Sequence, residues 1–149
     1  MKKSTIGGWH SPNFDLKHEE PRLFVNAINT KLDEAFKDMG WDVKNQQVKI
    51  TGMWSIINRV GATNARHIHP NSFLSAAYYV KAPENCGDIM FHDPRSAAVF
   101  RRPKISNDNI LNTSEVSITP KNGMLVLFPS FLNHSVKSNQ SRKERVVIS

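Results

Sequence analysis

One helix followed by a train of short β-type runs is the pattern that most restricts what this chain can become. Phe24, Ile28, Leu32, Ala35, Phe36 and Met39 recur at intervals of three and four, which lays a single apolar stripe along a helix. Pro21 suits a first helical turn and Gly40 a helix end, so the spacing predicts a helix over about 21–39. After Gly40 the period changes. Residues 47–60, 72–80, 88–92, 116–118, 124–128 and 145–148 are rich in Val, Ile, Phe and Tyr and are separated by Gly, Pro, Asn and Ser. Such runs read as short strands between turns. Strands that follow one another with only one helix in the chain argue against alternating β-α-β units. They predict an all-β fold with one N-terminal helix, a sandwich or a closed double-sheet jelly roll. Residues 94–115 are the least regular stretch and read as a long loop over the site or a surface segment.

Length and composition narrow the class. A chain of 149 residues without internal repeats or a long linker predicts one domain, 1–149, with its β core over about 47–149. An apolar fraction of 39% with eight Phe excludes a disordered chain. No apolar run approaches the roughly 20 residues needed to span a bilayer. The opening Met1 to Trp9 carries the charge of a signal peptide without the apolar stretch that must follow. Cys86 is the single cysteine, so neither an internal disulfide nor a thiolate cluster can form, and a cytoplasmic, reducing setting is the expectation. Twenty Lys and Arg against thirteen Asp and Glu leave a net charge of +7, which favours anionic partners. The basic residues are dispersed in short groups, Lys2-Lys3, Arg101-Arg102-Pro103-Lys104 and Arg142-Lys143. That pattern fits a solvated basic surface better than a nucleic-acid interface.

The residues able to carry chemistry are His67-Ile68-His69, His134 and Arg145. Residues two apart on a strand leave the same face, so an H-x-H pair can aim two imidazoles at one point. A third histidine from a distant strand closes a metal site with positions left for substrate. The pair alone is a weak signal, because six His in a chain of this length supply about a quarter of such a pair by chance. Its surroundings add weight: residues 61–66 read as a turn leading into the pair, and Pro70-Asn71 closes it. His134 follows the glycine turn, apolar strand and proline of Gly123 to Pro129. Arg145 begins Val146-Val147-Ile148, where burial without a partner is costly, and a carboxylate is the natural mate for its planar fork. An internal Asp or Glu would serve equally well on this reading. Strand alternation puts Tyr79 on the side of Ala77 and Ser75, small residues that leave room for a ligand.

At these residues the sequence resembles the 2-oxoglutarate and Fe(II)-dependent oxygenase superfamily, and within it a group of small oxygenases known mostly from marine bacteria and their phages. The shared stretches are His67-Ile68-His69-Pro70, Ser75-Ala76-Ala77-Tyr78-Tyr79-Val80, Gly87-Asp88-Ile89-Met90-Phe91 with Asp93-Pro94-Arg95, Phe128 to His134, and Arg145 to Ser149. They run in order over about residues 50–149. The resemblance implies a double-stranded β-helix, an oxidoreductase (dioxygenase) with Fe(II) and 2-oxoglutarate as cofactors, and O2 as the other cosubstrate. By position His67 and His134 match iron ligands. Arg145 matches the base that binds the distal carboxylate of 2-oxoglutarate, and Tyr79 a tyrosine that hydrogen-bonds the same carboxylate. His69 stands where the superfamily usually has Asp or Glu. Two assignments stay open there: His69 as the third ligand, or a two-His site completed by water or Asp93. The implied reaction oxidises 2-oxoglutarate to succinate and hydroxylates a C–H bond of a substrate that the resemblance does not name.

Two other classes compete. Gly61, five residues and then His67-x-His69 fits the start of a cupin motif, which makes a cupin-like three-His metalloenzyme the runner-up. The downstream Glu of that motif is missing, since Phe73 and Leu74 occupy its place. A non-catalytic jelly-roll module binding an acidic ligand or nucleic acid through the basic surface is the third reading.

Overall fold

The computed structural model describes residues 4–95 and 103–149. Lys2-Lys3, Arg101-Arg102 of the second basic group, and residues 96–102 of the irregular 94–115 stretch lie outside the described residues. The chain divides into two compact units, Met1–Ser11 together with Ser55–Ser149, and Pro12–Trp54.

The smaller unit contains the helix, α1 (Glu19–Asp38). It begins two residues before the predicted start, with Glu19 and Glu20 in its first turn, where acidic side chains oppose the positive end of the helix dipole. Pro21 is therefore the third helical residue, still within the turn whose N–H groups have no intrahelical partner. Gly40 closes the helix at φ +71°, and its amide donates to the Lys37 carbonyl at 3.0 Å, a backbone shape that glycine adopts without strain. Phe36 is buried and stacks on Trp41 with ring centroids 5.2 Å apart. Met39, the last member of the predicted stripe, lies outside the helix and is exposed.

Among the described residues the larger unit has ten strands: β1 (Thr5–Ile6), β2 (Trp9–His10), β3 (Ser55–Asn58), β4 (Thr63–His67), β5 (Leu74–Lys81), β6 (Ile89–His92), β7 (Glu115–Ile118), β8 (Leu125–Pro129), β9 (His134–Val136) and β10 (Arg145–Ile148). They form two five-stranded antiparallel sheets, ordered β1-β4-β9-β6-β7 and β2-β3-β10-β5-β8. Sequence neighbours alternate between the sheets along β3, β4, β5 and β6, so the chain winds as a jelly roll. The expected all-β class is observed, with one helix among the described residues. The predicted strand over 47–60 shrinks to β3, because only its last third finds partners, in β2 and β10. Residues 61–66, read as a turn, are mostly β4. Gly61, at φ +83°, and Ala62 make the turn, and the strand starts at Thr63.

Alternation explains the interior. Ala77 and Tyr79 of β5, Val126 and Phe128 of β8 and Val147 of β10 meet Ile89 and Phe91 of β6 across the two sheets. Each of these strands turns every second residue inward, which is how a strand facing water on one side contributes to a core. Gly7-Gly8 links the two-residue strands β1 and β2, which pair with β4 and β3 in different sheets. The join is braced by asparagines: Asn58 Nδ2 donates to Asn64 Oδ1 at 2.9 Å, and Asn139 Nδ2 donates to the Asn58 carbonyl at 2.9 Å. All three are buried, and these bonds satisfy amide groups that would otherwise be unpaired in a dry interior, while Asn58 Oδ1 is buried without a hydrogen-bond partner among the described residues.

Candidate functional site

His67 and His134 stand directly opposite each other on β4 and β9. Opposed residues in an antiparallel pair share a face, and the two rings lie 4.1 Å apart at their centroids. His69 lies beyond the end of β4, so strand alternation does not place it, contrary to the reading of H-x-H as one strand. It is held instead by its amide, which donates to the Ser130 carbonyl at 3.0 Å. Ser130 is fully buried, and its hydroxyl lies 2.7 Å from that of Ser75. The result is the same convergence by another route: the His69 ring is 5.0 Å from each of the other two. Asp93 is engaged elsewhere, receiving Nε and Nη2 of Arg95 at 3.0 and 2.7 Å.

One ring nitrogen from each of His67, His69 and His134 lies within 4.8 Å of the others, a group able to hold a metal ion among the described residues. The tautomers suit that use. His67 Nδ1 donates to the Ala65 carbonyl at 2.7 Å, and His134 Nδ1 donates to the Leu132 carbonyl at 2.9 Å. Each tie runs two residues back along the chain and leaves Nε2 as the lone-pair nitrogen. Burial pushes His69 and His134 down to about 4 and lowers His67 as well. The rings that enforce this are apolar: Phe128 lies 4.6 Å and Phe91 6.3 Å from His134. A charged imidazolium is costly in such surroundings, so the three stay neutral, the form that binds metals.

Arg145 is the second element of the site. It shares the inward face of β10 with Val147, which is opposite Tyr79 on β5, and both Arg145 and Tyr79 are 1% exposed. Among the described residues no acidic side chain is hydrogen-bonded to the guanidinium. Nη1 donates to the backbone carbonyls of Cys86, Gly87 and Lys137, and Nη2 is buried without a hydrogen-bond partner. An unpartnered cationic donor inside a protein costs a few kcal/mol, and a carboxylate arriving there would remove that cost. Burial raises the Tyr79 phenol to about 12, with the Arg145 charge pulling the other way. Tyr79 is therefore a neutral O–H donor beside a fixed cation.

The five candidate side chains named from the sequence rest on supports that it did not signal: Ser130 behind His69, the carbonyls of Ala65 and Leu132 behind the other imidazoles, and the three carbonyls behind Arg145. Backbone acceptors have no residue signature. Only Gly87 hinted at a place where chain segments come close.

The model of a family described as "Putative 2OG-Fe(II) oxygenase" matches residues 52–149, which contain every one of these groups. The chain belongs to the 2OG-Fe(II) oxygenase family. Fe(II) and 2-oxoglutarate are the cofactors of that family, and oxidoreduction is its chemistry. No curated protein matches the sequence. Among solved structures, the fold is similar to a Pseudomonas putida prolyl-4-hydroxylase, with TM-score 0.60 and 16% identity over 95% of this chain and 69% of that one. It is similar also to the viral collagen prolyl hydroxylase of Paramecium bursaria Chlorella virus-1, solved with 2OG, with TM-score 0.60 and 16% identity over 98% and 77%. An oxidoreductase of the 2OG-Fe(II) oxygenase family from Burkholderia pseudomallei matches at TM-score 0.52 and 12% identity over 67% of this chain. This chain spans only 41% of that protein. At these identities the likeness is one of fold, a jelly roll.

Proposed function

We propose that this protein is a 2-oxoglutarate- and Fe(II)-dependent dioxygenase that hydroxylates a C–H bond, with residues 1–149 acting as one catalytic domain in the cytoplasm. His67, His69 and His134 hold the iron, and Arg145 and Tyr79 hold the distal carboxylate of 2-oxoglutarate. The observation that carries this reading is the pairing of three neutral imidazoles with a buried, half-partnered arginine inside one barrel. A cupin-like metal site needs no such arginine, and a binding module needs no such histidines.

Both groups fit. Imidazole nitrogens suit Fe(II), and an arginine fork suits a carboxylate. When bound, iron and 2-oxoglutarate supply the oxidising power: O2 is consumed, 2-oxoglutarate becomes succinate and CO2, and one oxygen atom enters the substrate C–H bond. The chain's own residues supply placement. The Ala65, Leu132 and Ser130 contacts fix where the histidines point. Arg145 and Tyr79 orient the cosubstrate by its far end, with a fixed charge and a neutral hydroxyl. Phe91 and Phe128 keep water from the imidazoles. Three neutral ligands leave both charges of Fe(II) uncompensated, and the dianion of 2-oxoglutarate would neutralise them.

No helix among the described residues is long and apolar enough to cross a membrane. The primary substrate is unassigned; O2 and 2-oxoglutarate are the partners this reading requires. The test is spectroscopic. Fe(II) and then 2-oxoglutarate, added anaerobically to the apo protein, are expected to produce a metal-to-ligand charge-transfer band that is absent in His134→Ala and Arg145→Ala. Tight iron binding without the band would favour the cupin-like enzyme, and no iron binding would favour the non-catalytic module.

A further inference from the structure

The two terminal nitrogens of Arg145 do different work. Nη1 is shared among three carbonyl oxygens, those of Cys86, Gly87 at 3.3 Å and Lys137 at 3.2 Å. Nη2 is buried with none. Rotating the guanidinium would break every bond on Nη1 at once, so this collar decides which edge of the fork faces the barrel interior. The collar joins two segments: Cys86 and Gly87 precede β6, and Lys137 follows β9, where its amide donates to the Asp88 carbonyl at 2.9 Å.

Gly87 is what lets these segments meet. Its φ of +90° is a conformation that side chains rarely tolerate. A Cβ added there would lie 2.8 Å from the Lys137 carbonyl carbon and 2.9 Å from the Ser138 oxygen, and would press hardest on the Lys137 oxygen. That oxygen is one of the three acceptors of Arg145. We propose that Gly87 is a positioning residue for the distal carboxylate of 2-oxoglutarate, acting through the carbonyl collar that leaves Arg145 Nη2 free. The inference rests on the cosubstrate assignment above and adds to it a residue and a division of labour within one guanidinium.

Calorimetric titration of the Fe(II)-loaded protein under anaerobic conditions tests it, with 2-oxoglutarate and with oxalate. Oxalate chelates the metal but has no distal carboxylate. Gly87→Ala is expected to weaken 2-oxoglutarate binding by about tenfold and to leave oxalate and Fe(II) binding unchanged. The loss should shrink in an Arg145→Lys background, because two residues acting through one contact are not additive. Unchanged 2-oxoglutarate affinity, an equal loss for oxalate, or full additivity with Arg145→Lys would overturn the proposal. A wild-type protein that binds oxalate but not 2-oxoglutarate would overturn the cosubstrate assignment itself and this inference with it. A second measurement needs no variant: nitrogen NMR of the wild-type arginine side chains. Arg145 is expected to show two separate Nη signals before any ligand is added, as hindered rotation requires. One averaged Nη signal would overturn the collar even where Gly87→Ala does not fold.

Discussion

His69 is the residue at which this chain departs from the usual pattern of its superfamily, and the departure has an electrostatic consequence. A carboxylate ligand would offset part of the metal's charge; a neutral imidazole does not. In the proposed site, iron and 2-oxoglutarate should therefore strengthen each other's binding, reciprocally and by the same factor. His69→Asp is expected to tighten Fe(II) binding in the absence of 2-oxoglutarate and to reduce that mutual factor by about tenfold. Iron titrations with and without 2-oxoglutarate measure both, and an unchanged factor would mean that His69 does not touch the metal. The same histidines make the metal-free protein acid-sensitive. Burial lowers His69 and His134 from 6.5 to about 4 and lowers His67 in the same direction. Above pH 6.5 neither the folded nor the unfolded chain protonates them, so the stability they leave is constant. Between pH 6.5 and about 4 the unfolded chain takes up protons that the folded one refuses, so stability falls as pH falls. Denaturant midpoints of the apo protein should fall across that window, and less steeply in His134→Ala.

At the scale of single elements, β8 matters twice. Its inward residues Val126 and Phe128 belong to the core, and the Phe128 ring, 4.6 Å from His134, lies nearer that imidazole than Phe91 does. Phe128→Ala is expected to cost about 3–5 kcal/mol by chemical denaturation, the usual penalty for emptying an aromatic site in a core. It should also raise the pKa of His134 toward its ordinary value, which NMR titration reads directly. Val116→Ala, on an exposed edge position of β7, should change stability by less than about 0.5 kcal/mol. The element boundaries show what a local pattern can and cannot predict. β10 was legible to the residue because Arg145 to Ile148 is a run of strand formers closed at both ends. β4 was not: Thr63, Asn64, Ala65 and Arg66 have no apolar alternation, and they are strand only because β1 and β9 pair with them. The reverse holds for residues 47–54, which have strand-like composition and form no strand.

Across the whole β unit the pairings are long-range. β10 lies between β3 and β5, and β9 between β4 and β6, so the segment from His134 onward completes both sheets and carries both His134 and Arg145. Removing residues 145–149 takes the middle strand out of one sheet. The truncated protein is expected to show no cooperative unfolding transition by circular dichroism, whereas Arg145→Lys should keep one. This placement also separates what each level of description could supply. The sequence by itself determined the fold class and the helix, and it singled out His67, His69, His134, Arg145 and Tyr79 as the candidates for chemistry. Those depend on residue type and local period, which any short window of the chain contains. Only the tertiary structure decided that His67 faces His134 across two strands, that Ser130 holds His69, and that three carbonyls leave one nitrogen of Arg145 unpartnered. Those depend on backbone groups that every residue carries, and their partners are chosen by how distant segments pack.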